Sequence, residues 1–414
     1  MAEQKPYPQI TQTSFPHLIP ALAALMIMIA VVIFCDRYAT FLEDKYVNAL
    51  APLLLRQSRM GVVVQQAAFR QPDLLPVIGN SETVITTSQY GSFDFFKTYP
   101  TGFEVFTIGN GGNNSLNIAQ DLAAVGSDLR GKKVVVSFTP DMFNTLQIAN
   151  DYYAGNFSRL HAYALIFNPN LGLKLKQRAA VRMQDYPRTL DDDPLLKNAL
   201  RNLAAGSFQN QFLYTLTLPL GQLNLYILRL QDHYAVWNYL QSNPQLNPVI
   251  ERTPQKINWN DVIHAGEIEQ KNNTNNNPYG IDNLTWTQKY HQVFTFAPPG
   301  SGDQHYITHL ENSKEWVDLE IELDVLHSLG ATPLVMSRPI NGFMSTAAGI
   351  SSQAQQKYYD KLESLAARYQ MPLVDFHEYT TDPYFSIDKS GHSSAKGWGV
   401  VDQTLDAYFH GKIR

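Results

Sequence analysis

Ser81 follows a short apolar run, Leu74-Leu75-Pro76-Val77-Ile78, across a Gly79-Asn80 turn, and a helix-compatible stretch begins behind it. A serine so placed sits at the carboxyl edge of a parallel sheet, where open α/β folds gather their chemistry. It also lies near a helix N-terminus, whose N–H groups can stabilise an oxyanion. A serine becomes a nucleophile only with a base beside it and an acid that orients the base. Asp388-Lys389-Ser390-Gly391-His392 offers both in one loop near the C-terminus. Donors are available from Gly109-Asn110-Gly111-Gly112-Asn113-Asn114, where the glycines allow backbone N–H groups a close approach and the asparagine amides add side-chain donors. Pro339-Ile340-Asn341-Gly342 is a second loop of the same kind. Each piece has an ordinary reading: the serine as a helix cap, the Gly/Asn loop as a turn, the Asp-His pair as a common neighbouring of the two in a surface loop. Their joint occurrence at loops that one sheet would bring together points to catalysis.

The elements that must bring them together alternate between strand and helix. Residues 74–78 and 103–108 read as strands, and 133–138 (KVVVSF) is a β-branched run typical of a buried parallel strand. Helical spacing fills 83–96 and 115–129. From 141 to about 299 the rhythm is lost to a mostly helical, Asn- and Tyr-rich stretch. It returns with a helix at 316–329, strands at 333–337 and 372–376, and helices at 352–369 and 395–409. The expectation is a doubly wound parallel α/β sheet with a large, mostly helical insertion between its third and fourth strands. The apolar stretch 213–230 carries Pro219, Gly221, Gln222, Asn224 and Arg229, and reads as a core or surface-associated helix rather than a second membrane span.

The chain of 414 residues has 32 Lys plus Arg against 37 Asp plus Glu, so no basic field exists for nucleic acid. With one cysteine, Cys35, neither an intrachain disulfide nor a Cys-based metal site can form. His305 and His309 share helical spacing but lack a nearby acid, which argues against a metal site. No phosphate-binding loop of P-loop type is present, and the reading calls for no cofactor and no metal.

The N-terminus sets the location. Residues 18–35 carry no charge, and at ~1.5 Å per residue this run just spans a ~30 Å hydrocarbon core, with Tyr38 and Phe41 extending it. The polar lead is long and no small-residue cleavage pattern follows, so the segment reads as an uncleaved anchor rather than a signal peptide. The expected layout is a tail at 1–17, an anchor at 18–40, a connecting helix at 41–70 and one large domain at 71–414. Lys5 precedes the span, and Arg37, Lys45, Arg56 and Arg59 follow it; by the positive-inside rule this balance would put the domain in the cytoplasm.

Five motifs in order resemble one family. Gly79-Asn80-Ser81-Glu82 is similar to its Gly-Ser-Ser-Glu turn, and 109–116 to its Gly-x-Gly-Gly segment. Asn275-Asn276-Asn277-Pro278-Tyr279-Gly280 is similar to its Asn-Asn-Pro-Phe-Gly stretch. Pro339-Ile340-Asn341-Gly342 matches Pro-x-Asn-Gly, and 392–398 matches His-x-x-x-x-Gly-Trp. The family is the DltD type of teichoic acid D-alanylation, with an SGNH-hydrolase-like domain behind one N-terminal anchor. The resemblance implies Ser81 as nucleophile, His392 as general base, and N–H groups of Ser81 and Gly112 as the oxyanion hole. It implies Asp388 as the acid, although the family's Asp stands three residues before the His and here stands four; Asp375 is the alternative. The implied setting is extracellular, which overrides the flanking charge. The implied partners are the membrane, a membrane-bound O-acyltransferase, lipoteichoic acid, and a D-alanyl carrier protein acting directly or through the acyltransferase. D-alanyl transfer is the leading reading; an esterase or thioesterase, or a non-catalytic binding subunit, are its rivals.

Overall fold

Alternation along each strand divides the sheet's side chains between two cores. The computed structural model describes residues 17–54, 61–84, 89–248 and 253–413. Lys5, Arg56 and Arg59, most of the expected tail and part of the expected 83–96 helix lie outside these residues. In the described part, β1 (Leu74–Gly79), β2 (Glu104–Gly109), β3 (Lys133–Phe138), β4 (Thr332–Ser337) and β5 (Leu373–Val374) form one sheet. The order is β2-β1-β3-β4-β5, with every pairing parallel.

On β3, Val134, Val136 and Phe138 point into one core while Val135 points into the other; on β4, Val335 opposes Leu334 and Met336. The first core is closed by helices including Ser115–Val125, Arg159–Phe167 and Glu315–Leu329. The second is closed by Ser92–Thr98 and Ala395–Phe409. Both faces of the sheet are therefore covered, which explains the near-continuous apolar strands. The chain winds outward from β1 to β2, then returns past β1 to β3, β4 and β5. Ser81 follows β1, at the point where the winding reverses.

The regular structure of the described chain between β3 and β4 is helical, with no strand of the sheet in it. The longest, Phe208–Ser242, passes through Pro219 without breaking. β5 is shorter than the expected 372–376 strand: Phe376 takes φ 50° and turns the chain out of the ladder. The expected 83–96 helix is interrupted by Gly91, which precedes the helix Ser92–Thr98.

The N-terminal helix α1 (Leu18–Leu54) is the one helix among the described residues long and apolar enough to cross a membrane, and its most apolar window is wholly uncovered. That fits a single-pass anchor. Its far end is bolted to the body. Glu43 lies 2.6 Å and Asp36 3.4 Å from the His233 imidazole, and Asp44 pairs with Arg70 at 2.7 Å. Asp232 accepts from the N–H groups of Gly61 and Val63 at 2.7 and 2.9 Å, capping the helix α2 (Val62–Arg70).

Candidate active site

Two glycines make the serine turn possible. Gly79 and Gly109 end β1 and β2 and are paired in register. A Cβ on Gly79 would collide with the Glu82 carboxylate and lie 2.7 Å from Ser137 O; one on Gly109 would strike Thr83 and lie 2.8 Å from Gly79 O. The helical turn α3 (Ser81–Val84) thus folds down onto bare backbone. Asn80 and Glu82 lock it reciprocally: Glu82 N–H donates to Asn80 Oδ1 and Asn80 N–H donates to Glu82 Oε1, each at 3.2 Å. The Thr83 hydroxyl donates to Asn80 O at 2.8 Å.

From the other end of the chain comes His392. Its Nε2 lies 2.8 Å from Ser81 Oγ, and its Nδ1 lies 2.6 Å from Asp388 Oδ2. Asp388 Oδ1 also accepts the His392 backbone N–H at 3.2 Å. His392 and Asp388 are buried, while Ser81 is half-exposed, so the hydroxyl faces outward from a sealed pair. The structure therefore brings Ser81, His392 and Asp388 into one hydrogen-bonded chain.

The four-residue spacing from Asp388 to His392 is absorbed by Gly391. Ile387 N–H donates to His392 O at 2.8 Å, and Ser386 and Ser393 bridge antiparallel, so 387–392 closes as a tight turn. Gly391 turns it at φ 84°, with any Cβ held 3.2 Å from Pro339 O. Asp375, the alternative acid, instead accepts the His377 N–H at 3.1 Å.

The loop residues sit as follows. Gly112 has φ 71° and packs against Tyr152, whose ring a Cβ would strike. Asn113 is buried and donates from Nδ2 to Gly79 O at 3.2 Å, tying its loop to the serine turn. Asn114 caps α4 (Ser115–Val125) by accepting the Asn117 N–H, and Glu315 accepts the Ser115 N–H at 2.8 Å. Asn341 accepts the Met344 N–H at 3.0 Å and donates to Tyr279 O at 3.3 Å. Tyr279 belongs to the Asn-Asn-Asn-Pro-Tyr-Gly stretch, whose Asn277 accepts from Tyr279 and Ile281 N–H at 3.1 Å each. Asp282 N–H donates to Ile387 O at 2.9 Å, so this stretch is stitched to the 387–392 turn as well.

Beneath the serine turn lies a buried charged cluster that sequence reasoning missed. Arg338 follows β4, is 1% exposed, and has its guanidinium 5.0 Å from the Trp398 ring. Burial pulls its pKa down to about 10, against the carboxylates of Glu82 and Asp402. Burial likewise pushes Glu82 up to about 7, against the pull of Arg338. Asp402, bonded by the Ser92 hydroxyl, is raised well above the carboxylate range by burial. The Gly-Trp ending was a usable signal: a Cβ on Gly397 would strike Phe385 O, and Trp398 stacks on the arginine.

Asp141 was also missed. Burial raises its pKa, opposed by hydrogen bonds from Thr139 and Ser390, and its charge reaches Asp388 and His392. For His392, burial alone would lower the pKa. The Asp388 hydrogen bond and charge, followed by the Glu82 and Asp141 carboxylates, outweigh it and hold the imidazole above the usual histidine value. Such a histidine accepts a proton from serine readily once it is neutral, and keeps it long enough to pass to a leaving group. Among the described residues, no group of three or more His, Cys, Asp or Glu has metal-holding geometry.

Residues 53–410 match the family model described as DltD protein. The chain is 24% identical over 374 residues to Protein DltD of Bacillus subtilis (strain 168), covering 90% of this chain and 92% of that protein. It is 21% identical over 381 residues to Protein DltD of Staphylococcus aureus (strain NCTC 8325 / PS 47), covering 91% of each.

Proposed function

We propose that this chain, which belongs to the DltD family and with it to the D-alanylation of teichoic acids, performs the acyl transfer itself through Ser81. The observation that carries this reading is the Ser81–His392–Asp388 chain, with contacts of 2.8 and 2.6 Å.

Ser81 Oγ attacks the carbonyl carbon of a D-alanyl ester or thioester while His392 Nε2 takes the hydroxyl proton. Asp388 stabilises the imidazolium and holds the tautomer with the proton on Nδ1. Backbone N–H groups of Ser81 and Gly112 receive the oxyanion. The C–O or C–S bond to the donor breaks, and His392 returns the proton to the leaving oxygen or sulfur. In the second half, a hydroxyl of lipoteichoic acid gives its proton to His392 and attacks the D-alanyl-serine carbonyl; the departing Ser81 recovers a proton. Asn113 and Asn341 act as positioning residues, each tying a loop of the site to its neighbour. In this reading α1 anchors the domain on the outer face of the membrane. A membrane-bound O-acyltransferase supplies the acyl group, drawn from a carrier protein.

The test is intact-mass analysis of the full chain in detergent after incubation with a D-alanyl donor, wild type beside Ser81→Ala. Wild type should gain one alanyl group, and Ser81→Ala none, with D-alanine incorporation into lipoteichoic acid lost in cells carrying the variant. Near-normal incorporation by Ser81→Ala would sink the mechanism. Ser81 is open to solvent, so water competes as acceptor. Release of free D-alanine alone, with acceptor polymer present, would make the protein an esterase.

A further inference from the structure

The helix Phe208–Ser242 keeps one face in the body and offers the other to solvent as a nearly unbroken apolar stripe. Its inner face is firmly seated. Tyr214 donates to Ile166 O at 2.6 Å, Gly221 lies so close to the Phe167 ring that no Cβ would fit, and Leu225, Val236 and Leu240 are buried. The outer face repeats at helical spacing: Phe208 is 88% exposed, Phe212 57%, Leu216 61%, Leu220 56%, Leu223 54% and Ile227 43%. Residues 208–228 contain no charged side chain. A stripe of this kind exceeds the scattered apolar residues of an ordinary surface and marks a contact.

What covers it follows from its meeting with α1. The apolar run of α1 ends at Asp36, the first charge after the span, and Asp36 lies 3.4 Å from His233 of the long helix. That contact marks the level at which α1 leaves the hydrocarbon. Beyond it, toward the N-terminus, α1 stands uncovered, so the long helix does not follow it into the membrane but veers away at that level. Around the joint, Tyr38 on α1 and Tyr226, Tyr234 and Trp237 on the long helix are exposed, the residue types that favour the membrane–water interface.

The geometry points to the lipid bilayer as the occupant: the stripe from Phe208 to Ile227 lies in the membrane interface and holds the domain down on the surface from which α1 emerges. With no Lys or Arg on the stripe, the attachment is apolar and does not depend on anionic headgroups. The inference rests on α1 being a membrane anchor and is independent of any role for Ser81.

The test uses the full chain in nanodiscs, in a Cys35→Ser background, with an environment-sensitive fluorophore on Leu216→Cys or Leu220→Cys and, as control, on Ser364→Cys of the exposed surface. Both side chains on the stripe are more than half exposed, so replacing them spares the fold. Doxyl-labelled lipids should quench the stripe labels several-fold more than the control, at a depth of about 5–10 Å below the headgroups. That depth should hold in phosphatidylcholine and in phosphatidylglycerol alike. Quenching no stronger than the control would overturn the proposal. A Leu216→Asp/Leu220→Asp/Leu223→Asp variant losing a co-purifying membrane protein, with no quenching in lipid alone, would assign the stripe to that protein instead.

Discussion

Replacing Asp388 by Asn separates an orienting acid from a merely structural one. The Asp388 carboxylate accepts twice from the same residue, from His392 Nδ1–H at 2.6 Å and from the His392 backbone N–H at 3.2 Å. An amide has one acceptor oxygen. If that oxygen keeps the backbone N–H, the new NH2 faces Nδ1 and forces the ring proton onto Nε2, where it blocks proton transfer from Ser81 2.8 Å away. If the oxygen keeps Nδ1–H, two donors confront each other at the backbone, inside a buried turn. A histidine held in the wrong tautomer costs about 10⁴ in kcat, which is about 5.5 kcal/mol of barrier. The pH profile should move as well. His392 must be neutral to act, and its pKa stands above the usual histidine value, so wild-type activity rises with pH through a limb above the ordinary His range. Removing the carboxylate deletes the main influence that raises this pKa, and the residual activity of Asp388→Asn should show its limb shifted to lower pH. The assay is acylation of Ser81 by a D-alanyl donor or a serine-reactive ester, followed by mass across pH. Asp375→Asn is the control and should change the rate little, because Asp375 serves the His377 backbone. Retention of acylation within tenfold of wild type, or an unmoved limb, would refute the reasoning.

Two other outcomes are expected from the same neighbourhood. Burial holds the Glu82 pKa at about 7, above the ordinary carboxyl value of 4.5, so the stability it lends is full below about 4.5 and is lost as pH rises through 7. The loss is about 3 kcal/mol, and Glu82→Gln should flatten it; denaturant titrations of both proteins at pH 4.5 and 8 that fall in parallel would contradict this. Gly391→Ala places a side chain at φ 84° and against Pro339 O, costing about 1–2 kcal/mol. Because the turn sets the reach of Asp388, the rate of Ser81 labelling should fall with the melting temperature; unchanged values of both would remove Gly391 from the account.

How far the sequence spoke depended on whether a feature was local. The β-branched run at 133–138 and the helical spacing of 352–369 and 395–409 match the observed elements residue for residue, because burial on both sheet faces makes a strand continuously apolar while burial on one face gives a helix its period. Ser81, His392 and Asp388 could be singled out because each sits at a turn between regular elements. Long-range matters were not legible. Asn113 and Asn341 read as donors toward a substrate; the bonds their amides make to Gly79 O and Tyr279 O join partners distant in sequence and left no local signal. Arg338 directly follows a strand, and its burial beside Glu82 and Trp398 is visible only once three separate segments converge. The shortening of β5 turned on one backbone angle, at Phe376, which no periodicity encodes.

The join between α1 and the body has a consequence for reach. α1 is one uninterrupted helix from Leu18 to Leu54, and ion pairs through Asp36, Glu43 and Asp44 seat its latter half on the body. A flexible linker would let the serine sample a cloud of positions, with a local concentration falling as its length grew. A helix clamped at both levels works instead as a ruler. Under the proposed function, Ser81 would be held at one height above the membrane, and a long acceptor polymer would have to be drawn past that fixed point, unit by unit, to be modified along its length.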